Sequence, residues 1–299
     1  TRDWSSDVCS SDLNLKGSAV LSGSTTMQTL SKAWTDRFRQ FHPEVTFTKG
    51  KEGTEGALEE ISQNPNVIGG ASRPLTESEL AGLKSNKCKE PMAVIVALDP
   101  LALYVHRDNP LSSVTPQQLG SIFRASGKGK PSISKWGDLG LTGDWKDQLV
   151  RVHSRSDVSG TTGFIKQWVL GGDDLTKSAQ VHETNHDVTK GVGGDKLGVA
   201  LSGFGESNPS VRSIPLVING VAIEANETNF LAGRYPFVRP LMLVIDKEML
   251  KQDGGLRESI LRYVLSRDGQ LEAVRAGFYP LDPAFIRKQL DSISGPQVR

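Results

Sequence analysis

Apolar positions along this chain fall into two alternating kinds of segment: short, nearly continuous runs, and longer stretches where apolar residues recur every three or four positions. The first kind reads as strand and the second as amphipathic helix. Residues 18–22, 45–48 and 67–71 are strand runs. Met27, Leu30, Trp34, Phe38 and Phe41 share a helical face, Ala57, Leu58 and Ile61 open a second helix, and Thr76 with Glu79 has capping-box spacing for a third. Residues 94–98 and 101–105 read as two β-rich runs separated by Asp99-Pro100. Thr115-Pro116-Gln117-Gln118 then supplies an N-cap, a first-turn proline and a capping-box Gln to a helix bearing Leu119, Ile122 and Phe123.

Residues 149–153 are again β-rich, and Phe164, Ile165, Trp168 and Val169 form a helical face ending at Gly171-Gly172. Residues 198–202 and 214–217 read as strands and 241–245 as a buried one. In the tail, Leu256, Ile260, Leu261 and Val264 share a face, and a second short helix ends near Gly277. Residues 127–143 form a loop rich in Gly, Ser and Lys, with Trp136 and Trp145 as local packing anchors. Strands alternating with helices predict an α/β fold.

The turns of this pattern carry the candidate chemistry. Residues 155–163, Arg-Ser-Asp-Val-Ser-Gly-Thr-Thr-Gly, place a cation, a carboxylate, hydroxyls and glycines where a strand passes into a helix. A helix start offers unpaired N–H groups and the positive end of its dipole, and glycine lets an oxyanion approach the backbone; the same residue types also serve as plain helix caps. Gly23-Ser24-Thr25-Thr26, Gly53-Thr54-Glu55-Gly56 and Ser72-Arg73-Pro74 repeat the arrangement. In open α/β sheets such turns gather at the carboxyl ends of the strands, where ligands bind. Their convergence predicts a small polyvalent anion as ligand.

Composition narrows the classes. Residues 1–13 read like a translated sequencing adapter and are set aside as an artefactual leader, with a signal peptide expected to have been lost by truncation. Thirty-five Lys and Arg against 34 Asp and Glu give a net charge of +1, which is no footprint for nucleic acid. No apolar run approaches the ~18 residues of a membrane-spanning helix. With Cys9 set aside, Cys88 stands alone and no intrachain disulfide is expected.

Taken in order, Gly23-Ser24-Thr25-Thr26, Gly53-Thr54-Glu55-Gly56, residues 70–75 (Gly-Ala-Ser-Arg-Pro-Leu) and Arg155-Ser156-Asp157-Val158-Ser159-Gly160-Thr161 resemble the phosphate-binding proteins of ABC transporters, the PstS family. Residues 105–110, 136–145 and 264–270 support the resemblance, which covers the chain from about Ser18 to Pro283. It implies a two-lobed type II periplasmic binding protein fold with the ligand in an inter-lobe cleft. The first lobe would be discontinuous, over 14–96 and 238–299, and the second would span 97–237, with crossovers near 94–98 and 237–241. It further implies that Thr25, Thr26, Thr54 and Ser72 contact phosphate from the first lobe, and Arg155, Asp157, Ser159, Gly160 and Thr161 from the second. Expected partners are inorganic phosphate and the permease and ATPase of the inner membrane, with the protein a periplasmic or otherwise extracytoplasmic monomer that needs no cofactor.

Phosphate near neutral pH keeps a proton and sulfate does not, so a carboxylate acceptor welcomes the first and repels the second. A site built around a ligand donor can reject an analogue lacking it by about 10⁴. The position after Ser72 is acidic in many family members and is Arg73 here. Arg73 is therefore either a direct anion contact or a salt-bridge partner, and Asp157 and Glu55 are the candidates for reading the ligand proton.

Neighbouring readings are another tetrahedral oxyanion such as sulfate or molybdate, and a phosphate sensor. A reading from another class is a zinc metalloprotease, because His182-Glu183-Thr184-Asn185-His186 fits H-E-x-x-H. Thr184, Asn185 and the glycines at 191, 193 and 194 disfavour the firm helix that motif needs. His42, His106 and His153 are scattered, and Ser159 lacks the glycine of a nucleophile elbow, so catalysis is not indicated.

Overall fold

The computed structural model describes residues 15–125 and 131–294. The leader assigned to residues 1–13 and the part of the Gly/Ser/Lys loop at 127–130 lie outside the described residues. In chain order the elements are β1 (Gly17–Gly23), α1 (Gln28–Phe41), β2 (Val45–Glu52), α2 (Gly53–Gln63), β3 (Val67–Ala71), α3 (Glu77–Lys84) and β4 (Pro91–His106). There follow α4 (Pro116–Phe123), β5 (Arg151–Arg155), α5 (Gly160–Phe164), β6 (Gln180–His182), α6 (Asn185–Gly193), β7 (Gly198–Gly203), β8 (Val211–Ile214), β9 (Leu216–Ile218), β10 (Val221–Ile223) and α7 (Glu227–Leu231). The last are β11 (Val238–Asp246), α8 (Leu256–Leu265), α9 (Arg267–Arg275) and α10 (Pro283–Ser294). The chain forms two compact units, Thr1–Leu98 with Pro240–Arg299, and Asp99–Arg239. It passes from one to the other inside β4 and again inside β11.

In the first unit, β1 pairs in parallel with β2 and β3, and β11 runs antiparallel to β3, with Leu243 opposite Gly70. β3 is buried at every residue, which is why it reads as a continuous apolar run. α1 covers the sheet with Leu30, Trp34 and Phe38, joined by Met27 from the turn before it, whereas Phe41, expected on the same face, is 40% exposed; the Trp34 indole donates to the Gly269 carbonyl at 2.7 Å. Leu256, Ile260, Leu261 and Val264 on α8 join the same core. α10, which the sequence reading did not single out, adds Ile286 and Ile293.

In the second unit, β5 lies between β7 and β6, parallel to both, and β7 and β8 flank β4 as antiparallel neighbours. The capping boxes at Thr76/Glu79 and Thr115/Gln118 both form as the sequence predicts. The parallel strands fix where the polar turns fall. β1, β2 and β3 deliver the turns at Ser24, Gly53 and Ser72 from one edge of their sheet. β5 and β6 do the same for Arg155–Ser159 and for Thr184-Asn185.

Several boundaries differ from expectation for local physical reasons. Asp99-Pro100 does not interrupt β4. Proline is tolerated there because its missing N–H costs no ladder bond, while the Leu98 and Leu101 amides donate to Tyr279 and Phe237 carbonyls at 2.9 and 2.7 Å. The expected strand over 214–217 instead divides at Pro215 into β8 and β9. Gly53-Thr54-Glu55-Gly56 is the first turn of α2 itself. Trp168 is exposed, because residues 165–169 wind as a π-helix and shift the face that Phe164 and Ile165 bury. Trp136 is fully buried and meets Trp145 edge-on at 6.1 Å, as packing anchors do.

Candidate functional site

The first unit presents a compact set of hydroxyls. Ser24 caps the turn by accepting from the Thr26 amide at 3.2 Å, and its own hydroxyl donates to Ser72 Oγ at 2.8 Å. Thr54, at the start of α2, accepts from the Ser72 amide at 3.3 Å. Ser24, Thr54 and Ser72 are buried, and Thr25 and Thr26 are half-buried. Three turns distant in sequence are thus stitched together by side chains that can both donate and accept. A cavity of about 420 Å³ bordered by α1 and β2 includes Ser24 and Gly70 in its lining but neither Thr54 nor Ser72. It meets this hydroxyl set at Ser24.

Gly23 makes the close approach possible. Its φ of +131° suits glycine, and a Cβ there would stand 2.3 Å from the Gly70 carbonyl oxygen. Gly23→Ala is expected to destabilise by more than about 1 kcal/mol, measured as a lower urea midpoint at unchanged m.

Arg73 is buried and engaged by two carboxylates. It donates to Glu79 at 2.6 and 2.9 Å, to Glu55 at 2.5 Å and to the Pro74 carbonyl at 3.1 Å. Burial lowers its pKa, but its hydrogen bonds to Glu79 and Glu55 outweigh that and hold it above the usual arginine range. Burial raises and Arg73 lowers the Glu79 pKa, with a net shift downward. The salt-bridge alternative is the one this geometry supports.

The second unit holds a more highly charged cluster. Arg155, at the end of β5, is 4% exposed. Its Nε donates to the His182 carbonyl at 3.2 Å and a terminal nitrogen donates to Asn185 Oδ1 at 3.4 Å. Thr161 Oγ1 donates to the same Asn185 oxygen at 3.2 Å. Ser159 caps α5 by accepting from the Thr161 amide at 3.2 Å, and the Thr162 hydroxyl donates to the Arg155 carbonyl at 2.9 Å, tying the strand end to the helix start. Gly160 is buried within that turn. The Asp157 carboxylate pairs with Lys166 at 3.1 Å and is 75% exposed.

Arg239 completes the cluster from β11. It is fully buried, donates through Nε and a terminal nitrogen to Asp99 at 2.9 and 2.7 Å, and donates to Thr161 Oγ1 at 2.9 Å. Burial pushes the Asp99 carboxyl up, against the pull of Arg239. Burial, and then the nearby charge of Arg239, lowers the Arg155 pKa. Two guanidinium groups, two hydroxyls and one amide therefore create a positive, donor-rich turn. Sequence reasoning singled out Arg155, Ser159, Gly160 and Thr161 but missed Asp99, Asn185 and Arg239. A charge within the apolar run 237–245 was the available signal for Arg239.

The metalloprotease alternative fails on geometry. His182 ends β6, and α6 begins after the Thr184 cap, so His182 and His186 do not stand one turn apart on a helix. His182 Nε2 instead meets His153 Nδ1 at 2.9 Å in a stacked pair, with His153 Nε2 3.3 Å from Asp195. A bond between two ring nitrogens needs one of them unprotonated. Burial lowers both pKa values, with Asp195 opposing the shift at His153 and Asp187 at His182. The neutral forms therefore favour the fold. Stability from this pair is present above the unfolded histidine pKa of about 6.5 and is lost as pH falls below it. The melting temperature is expected to fall between pH 7 and 5, with a shallower fall in His153→Asn.

A family profile described as a PBP superfamily domain matches residues 12–268. The chain is similar to the phosphate-binding protein PstS of Pseudomonas aeruginosa, with 32% identity over 91% of this chain and 85% of the relative. Among solved structures it is similar to a Clostridium perfringens protein assigned as a phosphate ABC transporter substrate-binding protein and crystallised with bound phosphate. The identity is 25% and the TM-score 0.72, covering 89% of this chain and 100% of that one. An ABC-type phosphate transport receptor from Vibrio cholerae shares the fold, with 21% identity and a TM-score of 0.70 over 88% of this chain and 100% of that one.

Proposed function

The chain belongs to the PBP superfamily as a PstS-like phosphate-binding protein, and from that premise we propose that it captures inorganic phosphate outside the cytoplasm and delivers it to the permease and ATPase of an ABC importer. It is a binding protein and not an enzyme. The observation that carries the reading is the buried Arg155, aimed by the His182 carbonyl and Asn185 beside the Thr161 hydroxyl. A fork of fixed donors suits a tetrahedral oxyanion, and burial strengthens each charge-assisted bond. Among the described residues no helix is long and apolar enough to cross a membrane.

The proposed donors are Arg155, Ser159, Gly160 and Thr161 in the second unit and Thr25, Thr26, Thr54 and Ser72 in the first. Arg73 acts on the site indirectly, by holding Glu55. Of the two carboxylates left to accept the ligand proton, Asp157 is favoured. Its exposed pair with Lys166 is worth at most about 1 kcal/mol and is easily exchanged, whereas Glu55 is held by the buried Arg73.

Isothermal titration across phosphate, arsenate, sulfate and molybdate tests the reading. Phosphate and arsenate are expected to bind alike and far more tightly than the fully deprotonated anions. Asp157→Asn is expected to narrow the phosphate-to-sulfate ratio; an unchanged ratio removes Asp157 as the proton reader. Equal affinity for all four anions would remove the phosphate assignment.

A further inference from the structure

We infer that Arg239, held by Asp99, is a positioning residue of the anion turn: by donating to Thr161 Oγ1 it fixes that hydroxyl and sets the affinity of the turn for phosphate. The inference rests on the phosphate reading above. Its starting point is an ion pair where an apolar pair would be cheaper. Arg239 and Asp99 are 0% and 2% exposed, and the residues that follow them on their strands include apolar Leu101 and Leu103, and Leu241 and Leu243. Replacing a buried ion pair by apolar residues of similar volume is often neutral or stabilising, so the pair is weak evidence for stability. What it does make is a specific contact.

The geometry of that contact needs arginine. One guanidinium gives Nε and a terminal nitrogen to Asp99 Oδ2 and the same terminal nitrogen to Thr161 Oγ1, at 2.9 Å. A lysine ammonium lacks the rigid fork that lets one side chain be clamped and still aim a donor. Thr161 Oγ1 in turn donates to Asn185 Oδ1, which also accepts from Arg155. The order Arg239, Thr161, Asn185, Arg155 is therefore one chain of hydrogen bonds ending on the guanidinium assigned to the ligand. A hydroxyl that accepts from a cation is polarised into a stronger donor, and its hydrogen can rotate from Asn185 to a bound oxyanion without moving the oxygen. The charge of Arg239 also reaches Arg155.

The test separates positioning from mere support. Asp99→Leu with Arg239→Met removes both charges, so neither is left buried alone, and takes away the donor to Thr161. Phosphate titration of this folded variant is expected to show affinity roughly tenfold or more below that of the unsubstituted chain. Thr161→Val is expected to lose a similar factor. Adding Thr161→Val to the charge-free variant should cost little more, a tenfold shortfall from the product that equals about 1.4 kcal/mol of coupling. Unchanged affinity in the charge-free variant, or losses that multiply fully, overturns the inference while leaving the phosphate reading intact. Absence of phosphate binding by the unsubstituted chain overturns both. Should the charge-free variant not fold, Arg239→Lys, which keeps a charge for Asp99, replaces it with the same expected losses and the same overturning results.

Discussion

Replacing Arg155 by Ala is expected to weaken phosphate binding by roughly 10²- to 10⁴-fold. The magnitude follows if the proposed role of Arg155 is worth two charge-assisted hydrogen bonds to the anion at about 1.5–3 kcal/mol each. Arg155 is almost fully buried, so little water is at hand to replace its donors. The change also takes the Arg155 donor from the His182 carbonyl and one of the donors from Asn185 Oδ1, which loosens the turn that holds Thr161. Arg155→Lys is expected to fall between the two, because it restores the charge and not the fork. Titration calorimetry reads both. A loss smaller than tenfold in a folded Arg155→Ala protein would remove Arg155 from the centre of the site.

Arg239→Met is expected to produce the largest loss of stability, about 3–5 kcal/mol, because Asp99 is then left buried without a counter-charge. For a unit of this size that corresponds to a melting temperature lower by about 10 °C or more, measured by calorimetry. The loss should shrink on acidification. Burial already raises the Asp99 carboxyl, and without Arg239 opposing it the group takes up a proton and becomes neutral. Adding Asp99→Leu should recover most of the lost stability. Recovery of stability without recovery of phosphate affinity is the combined signature expected of a pair kept for binding. A melting temperature unchanged by Arg239→Met alone would contradict the burial argument.

Much of the fold was legible because its signals are local. The α1 stripe, the continuous run of β3 and the two capping boxes are each confined to one element and its cap and need no knowledge of the rest of the chain. The turn at residues 155–161 was legible for the same reason. Strand ends, hydroxyls and glycines in that order are a local requirement of binding an oxyanion at the start of a helix. Boundaries failed where a distant partner intervened. Pro100 sits inside β4 because Tyr279 and Phe237 satisfy its neighbours, and no pattern near residue 100 announces either.

The charged partners divide in the same way. Arg73 was recognised as a departure, but whether it faces the ligand or a carboxylate depended on Glu55 and Glu79, brought to it by two separate helices. Asn185 was read only as part of a zinc-binding pattern. The pattern broke because a strand ends at His182 before the helix begins, and Asn185 came to face Arg155 and Thr161 instead.

The sequence by itself determined the alternation of strand and helix and the chemistry of the polar turns, since each follows from residue type and spacing along the backbone, and the order of those turns carried the resemblance to the family. The tertiary structure decided which charges are shared. Arg239 and Asp99 lie 140 positions apart, and only folding brings β4 and β11 near enough for one buried guanidinium to hold a carboxylate and aim a donor at Thr161. The strength of a hydrogen bond depends on distance and burial, and neither is written in the order of residues.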